Sequence, residues 1–224
     1  MEKIALIVAG GSGTRMGGQV PKQFLPIEGQ PILMRTLMVF HGYDSKIKLI
    51  LVLPQSDFDY WHTLCQAHNF TISHTLVEGG ASRFQSVKNG LQAIHGDSGL
   101  VAIHDGVRPF VSKEVINKGF EEAEHSGSAI PVVSLKDSLR KIGEDGNSFY
   151  QERHLFRLVQ TPQTFQLSKI KKAFEREEQP SFTDDATVYE NQGWQVNLIP
   201  GNPENIKITT PEDLLYAEFL VKKR

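Results

Sequence analysis

The sequence predicts an α/β fold, a mostly parallel sheet with helices on its faces. Two observations carry that expectation. Short aliphatic runs alternate with helical patterns along most of the chain. The first run also ends directly in a glycine-rich loop, the arrangement found where open α/β sheets bind ligands at the carboxyl ends of their strands.

The elements follow in order. Lys3 to Ala9 reads as a first buried strand, and Pro31 opens a helix to about Phe40, proline being well suited to a first helical position. Ile47 to Leu53 is a second strand and Asp57 to Ala67 a helix; Ile72 to Val77 is a third strand. Ser82 caps a helix over Arg83 to Ile94, with Phe84, Val87 and Leu91 on one face. Leu100 to His104 is a fourth strand, Ser112 caps the next helix, and Ala129 to Val133 is a fifth strand. The rhythm then changes: residues 134–164 hold short β-like pieces and a turn at Glu144-Asp145-Gly146-Asn147, an insertion leaving the main sheet. A helix near Ser168 to Glu178, a strand from Trp194 to Ile199 and a helix from Pro211 to Val221 complete the chain.

With 224 residues, one large domain spanning 1–224 is expected, at about 150 residues for a typical domain. Cys65 is the single cysteine, which excludes an intramolecular disulfide and favours a reducing, cytoplasmic setting. The net charge of −2, from 24 basic and 26 acidic residues, argues against a nucleic-acid partner held by bulk charge. The longest aliphatic stretch, Ile4 to Ala9, falls far short of the ~20 residues that cross a bilayer, so no membrane role is expected. The N-terminus reads as a first strand and not as a signal peptide.

Ala9-Gly10-Gly11-Ser12-Gly13-Thr14-Arg15-Met16-Gly17-Gly18 is the most informative segment. Glycines there let backbone N–H groups approach a phosphate chain and form an anion nest. A Walker loop is excluded because no Gly-Lys-Ser/Thr follows, and the dinucleotide fingerprint is excluded because Met16 stands where it needs glycine. Arg15 and Lys22, the latter in Pro21-Lys22-Gln23, lie beside the nest instead. Such a pair suits a triphosphate attacked at its α-phosphorus, where positioning and charge do most of the catalysis.

Glu78-Gly79-Gly80-Ala81-Ser82-Arg83-Phe84-Gln85-Ser86 again joins a strand to a helix and can hold a base or a sugar hydroxyl; ordinary capping by Ser82 is the competing reading. His104-Asp105-Gly106-Val107-Arg108-Pro109 ends the fourth strand. Asp105 is a candidate Mg²⁺ ligand or hydroxyl partner, and His104 reads as structural. Lys207, in Asn205-Ile206-Lys207-Ile208-Thr209, is a charge in an apolar context; Thr183-Asp184-Asp185-Ala186 reads equally as a site or as a helix cap. Arg153, judged on its neighbours alone, is a solvated cation.

Taken in order, AGGSGTRM, PKQF, EGGASRFQSV, HDGVRPF, QTPQTF, TDDA and NIKITTPEDL resemble the 2-C-methyl-D-erythritol 4-phosphate cytidylyltransferases of the non-mevalonate isoprenoid pathway over nearly the whole chain. The resemblance implies a Rossmann-like domain with a projecting β-arm that embraces a second subunit. It also implies transfer of CMP from CTP to methylerythritol phosphate with Mg²⁺, releasing pyrophosphate. Arg15, Lys22, Arg153 and Lys207 match the family's catalytic cations, Arg153 reaching across the dimer to the sugar phosphate. Ala9, Gly10, Gly11, Gly79, Arg83 and Ser86 match cytidine-binding positions; Asp105 and Thr183 match positions contacting the acceptor. The chain departs from many members at Gly106-Val107, where Ala-Ala is common, and at Ser138, where threonine is common. Its Val-Arg-Pro-Phe segment is shared with the ribitol 5-phosphate cytidylyltransferases, the alternative reading. A regulator that keeps the pocket without chemistry is a distant third, since it would be expected to lose Arg15, Lys22 or Lys207.

Overall fold

A computed structural model describes residues 1–10 and 20–223. Its strands are β1 (Lys3–Val8), β2 (Pro26–Ile27), β3 (Gln30–Pro31), β4 (Lys48–Leu53), β5 (Thr75–Glu78), β6 (Leu100–Asp105), β7 (Ser128–Ser134), β8 (Leu139–Ile142), β9 (Ser148–Gln151), β10 (Arg157–Val159), β11 (Gln163–Gln166) and β12 (Leu198–Pro200). The helices are α1 (Ile32–Tyr43), α2 (Phe58–Ala67), α3 (Arg83–Gln92), α4 (Lys113–Ser126), α5 (Leu167–Ala173), α6 (Asp185–Glu190) and α7 (Pro211–Lys223). The main sheet runs β10–β7–β11–β6–β1–β4–β5, with β12 paired to β7. β6, β1, β4 and β5 are mutually parallel, and β11 lies antiparallel between β6 and β7.

The alternation of side chains along each strand builds two cores. From β1, Ala5 and Ile7 point to one face, where Leu33, Leu37 and Phe40 of α1, Trp61 of α2 and Phe120 of α4 cover them. Ile4 and Leu6 point to the other, under Phe84, Val87 and Leu91 of α3, Ile170 of α5 and Tyr189 of α6. Burial on both faces explains why the central strands read as continuous aliphatic runs. A smaller third cluster joins Ile27, Ile32, Phe110 and Ile208 to Ala217 and Leu220 of α7.

The expected caps form: Ser82 accepts from the Gln85 amide at 3.0 Å, and Ser112 accepts from that of Val115 at 3.2 Å. Gly127, at φ 101°, ends α4 in the left-handed conformation. Several boundaries differ from expectation. The third strand starts at Thr75, because only residues 75–78 pair with β4. The helix expected to reach Glu178 stops at Ala173, where Phe174 turns to stack on Phe84 at 4.8 Å. Of the strand expected over 194–199 only Leu198 and Ile199 pair; Trp194 and Val196 pack on the second core instead.

Residues 134–164 divide in two. Arg157 pairs with Ser134, so the stretch between them leaves and returns to one point on β7; within it β8 and β9 form a separate antiparallel ribbon. Residues 157–159 and 163–166 pair within the main sheet.

Gly90 faces the sheet from α3. A methyl group there would overlap Leu6 Cδ1 and stand 2.9 Å from Val52 Cγ2, both fully buried. Overpacking of this kind costs about 1–3 kcal/mol, against about 1 kcal/mol returned by alanine's helix propensity. Gly90→Ala is therefore expected to lower the urea midpoint of unfolding, and an unchanged or raised midpoint would refute the tight α3–sheet contact.

Candidate active site

The order β5–β4–β1–β6 reverses the direction in which successive strands are added at β1, and the crevice outside the carboxyl ends of the strands at such a switch point is where open α/β sheets hold ligands. A cleft opens there. It is lined by Val8, Ala9 and Gly10 after β1, Lys22 and Gln23, residues 80–83 with Ser86 at the start of α3, Asp105 and Val107 after β6, and Lys207.

Backbone hydrogen bonds bring these loops together. Ala9 donates to the Val52 carbonyl, Gly79 to that of Leu53 and Gly106 to that of Val8, at 2.8–2.9 Å. Gly106 allows a close approach between loops: a methyl there would sit 2.7 Å from Ala9 Cβ and 3.0 Å from Leu33 Cδ1. Glycine at this position is thus a packing requirement in this chain. Lys22 opens a single 3₁₀ turn, Lys22–Phe24, fixed by burial of Phe24 between the rings of Tyr60 and Trp61. Ser86 shapes the α3 loop from within, accepting from the Gly80 amide at 3.0 Å and donating to the Ser82 carbonyl at 2.8 Å.

Asp105 is the electrostatic centre. Its Oδ2 lies 3.1 Å from both Arg108 Nε and Lys207 Nζ, and its Oδ1 lies 3.8 Å from Arg83 Nε. Burial pushes the Asp105 carboxyl up, but Lys207, Arg83 and Arg108 outweigh burial and hold it well below the usual carboxylate range. Arg83 in turn grips Asp185 with both terminal nitrogens, at 2.7 and 2.8 Å. Burial disfavours its charge, yet Asp185, Asp105 and Asp184 hold the guanidinium above its ordinary value.

His104 is fully buried, and burial pulls it down to about 4, so its ring is neutral at neutral pH. Its Nε2 lies 3.0 Å from the Arg108 carbonyl and therefore carries the proton; its Nδ1 accepts from the Thr161 hydroxyl at 2.9 Å. That hydroxyl also accepts from the Asp105 amide at 3.1 Å. His104 thus holds the Asp105 backbone, as a structural residue would. Asn205, also fully buried, ties the Lys207 segment to the sheet: its side chain donates to the Thr161 carbonyl at 2.7 Å, and its own carbonyl accepts from Arg108 at 2.9 Å.

The structure brings Ala9, Gly10, Lys22, Arg83, Ser86, Asp105 and Lys207 to one cleft. Gly79 lies behind it, where a methyl would come within 3.1 Å of Ser86 Oγ. Gly11 and Arg15 lie outside the described residues. Arg153 is away from the cleft, donating to the Lys136 carbonyl near the ribbon, and Thr183 is exposed beside the α6 cap. Asp184 does cap α6, with a reciprocal capping box to Thr187. Arg108 and Asp185 join the charge cluster although sequence reasoning gave them no role. Arg108 stood in the quoted HDGVRPF segment, three residues after Asp105, and that spacing was its only signal.

Asp105 is a poor fit to a protein-held Mg²⁺, because three cations already surround its carboxylate. Among the described residues no cluster of three or more His, Cys, Asp or Glu side chains is placed to hold a metal ion, and no helix is long and apolar enough to cross a membrane.

The family model for 2-C-methyl-D-erythritol 4-phosphate cytidylyltransferase matches residues 3–223. The chain belongs to that family. A cytidylyltransferase of this name from Bacteroides fragilis is 52% identical over 221 residues, covering 99% of this chain and all of that one. Among solved structures, the 4-diphosphocytidyl-2C-methyl-D-erythritol synthase of Anaerococcus prevotii superposes with a TM-score of 0.84 at 30% identity, covering 99% of this chain and 96% of that one. The Thermus thermophilus cytidylyltransferase gives 0.79 at 31% identity, covering 99% and 100%. The Rossmann-like reading of a mostly parallel α/β sheet is thereby borne out. The cleft of this cytidylyltransferase-family chain is built on the loops that carried the resemblance.

Two outcomes follow from the electrostatics. Because folding lowers the Asp105 pKa, its contribution to stability is complete above the unfolded carboxylate value, about 3.9, and is lost as pH falls below it towards the folded value. Asp105→Asn is expected to flatten this acid limb and, by leaving three cations facing one another, to cost on the order of 3 kcal/mol at neutral pH. An unaltered pH–stability profile would contradict the cluster. For His104, ¹⁵N NMR near pH ~6 should show a neutral ring protonated on Nε2; a charged ring would show that its burial is wrong.

Proposed function

We propose that this cleft transfers CMP from CTP to the phosphate of 2-C-methyl-D-erythritol 4-phosphate. An acceptor phosphate oxygen attacks the α-phosphorus; the bond from that phosphorus to the bridging oxygen breaks, and pyrophosphate leaves. The products are 4-diphosphocytidyl-2-C-methyl-D-erythritol and pyrophosphate. No general base is required, since the acceptor phosphate is already anionic at neutral pH. What carries the reading is the convergence of Lys22 and Lys207 on a cleft floored by the residue 9–10 backbone, in a chain matched end to end by the cytidylyltransferase family.

Lys22, with Arg15, would stabilise the pentacoordinate α-phosphate, and Lys207 would neutralise the phosphate chain. Ala9, Gly10, Gly11, Gly79, Arg83 and Ser86 would hold the cytidine, and Asp105 and Thr183 the acceptor. Mg²⁺ is needed to screen the triphosphate charge. With three cations around the Asp105 carboxylate, a magnesium ion would be held by the CTP phosphate oxygens in preference to this side chain. We further propose a cytoplasmic homodimer. The β8–β9 ribbon, the 3₁₀ turn Arg153–Leu155 and strand β10 expose Ile142, Phe149, Tyr150, Leu155 and Leu158, an apolar surface suited to a second subunit. Arg153 at its base would then serve the partner's cleft.

The test is pyrophosphate release from CTP and Mg²⁺ with methylerythritol 4-phosphate or ribitol 5-phosphate as acceptor. Turnover with the first alone is expected; preference for the second would move the enzyme to the sister activity, and silence with both would favour a binding-only protein. Lys22→Ala is expected to lower kcat by about 10²–10³, the usual cost of removing one preorganised donor to a developing charge, with the fold intact. A near-normal rate would remove Lys22 from the mechanism.

A further inference from the structure

Asp185 stands outside the cleft and is fully buried, yet it touches Arg83, the cation at the start of α3 that also faces Asp105. Its place is fixed from several sides. Asp184, the preceding residue, caps α6 and accepts from Gln163 Nε2 at 2.7 Å, while Gln163 Oε1 accepts from the Ala186 amide at 2.8 Å. Gln163 is itself fully buried on β11, so the start of α6 is pinned to the central sheet. Two further contacts bind the 174–184 segment to the start of α3: Ser82 donates to Glu178 at 2.8 Å, and Phe84 stacks between Phe174 and Phe182 at 4.8 and 5.8 Å.

Burial raises the Asp185 carboxyl above its ordinary value, and the Arg83 guanidinium clasping both of its oxygens opposes that rise. Arg83 thus spends both terminal nitrogens on Asp185 and has only Nε turned towards Asp105 Oδ1, at 3.8 Å. Asp105 Oδ2 is occupied by Arg108 and Lys207. Among the described residues Oδ1 receives no closer cation, and it belongs to a residue lining the cleft.

We propose that Asp185 is a positioning residue: it holds the Arg83 fork back so that Asp105 Oδ1 stays open to a hydroxyl of the acceptor. This rests on the cytidylyltransferase reading above. Without the Asp185 charge, the nearest carboxylate for the released fork is Asp105, and an Arg83–Asp105 pair would compete with the acceptor for the same oxygen. The device costs little, because the α3 loop and α6 are already held together by Ser82, Glu178 and the Phe84 stack.

The experiment is a double-mutant cycle on the full-length enzyme with Asp185→Asn, Arg83→Met and the double variant, reading KM for acceptor and for CTP separately from kcat. Asp185→Asn is expected to raise the acceptor KM by about tenfold, well beyond any change in the CTP KM that follows from moving Arg83, with kcat changed by less than about threefold. In the Arg83→Met background, where no fork exists to be released, the same substitution should leave the acceptor KM unmoved. Thermal unfolding of each variant checks that folding is retained. Should Asp185→Asn fail to fold alone, the double variant compared with Arg83→Met still gives the decisive arm. An unchanged acceptor KM, an equal rise in both KM values, or an effect that persists without Arg83 would each overturn the proposal. Wild-type protein without turnover would instead defeat the underlying assignment of activity.

Discussion

One carboxylate with three cations around it organises the cleft. Asp105 ends a strand buried along its whole length, and its amide is held by Thr161, whose hydroxyl is oriented by a neutral, buried His104. Once that carboxylate is fixed, Arg108, Lys207 and Arg83 have a common point to converge on. They arrive from the β6 loop, the segment before α7 and the start of α3. Three cations so close together would repel one another in an empty pocket, and Asp105 keeps them assembled before any anionic ligand enters.

The two cores explain why these loops can meet with such precision. Each central strand is buried on both faces, so a one-residue slip in register would turn every side chain towards the wrong helix layer. The ends of β1 and β6 are thus set by the sheet, and Gly106 then permits the close approach that a side chain would prevent. Helices α1 and α3, packed on opposite faces, hold loops that line the cleft. Thr36 of α1 donates to the Gly106 carbonyl at 2.9 Å, and Ser82 at the α3 cap sets the loop containing Gly79 and Gly80.

Much of this was legible in the residues. Aliphatic runs such as Ile4-Ala5-Leu6-Ile7 and Leu49-Ile50-Leu51-Val52 could hardly be anything but doubly buried strands, and Ser82 and Ser112 announced their helices. Strand β11 was not legible: Gln-Thr-Phe-Gln has neither an aliphatic run nor a clear alternation, and it is placed by pairing with β6. Helix α6 has only six residues, too few for a periodic signal, so its capping residue was visible while the helix was not. In the site, residues clustered in sequence were easy to find. Arg83 with Asp185 and Lys207 with Asp105 are pairs about a hundred residues apart, and only the fold makes them neighbours. Arg153 does not line the cleft and bonds to the Lys136 carbonyl, so its placement could not be read from its sequence neighbours either.

The most direct test of the central claim is a crystal structure with CTP and Mg²⁺. The triphosphate is expected between the residue 9–10 backbone, Lys22 and Lys207, with the cytidine along the loop from Gly79 to Ser86. A nucleotide bound elsewhere, or one whose phosphates avoid Lys22 and Lys207, would contradict it.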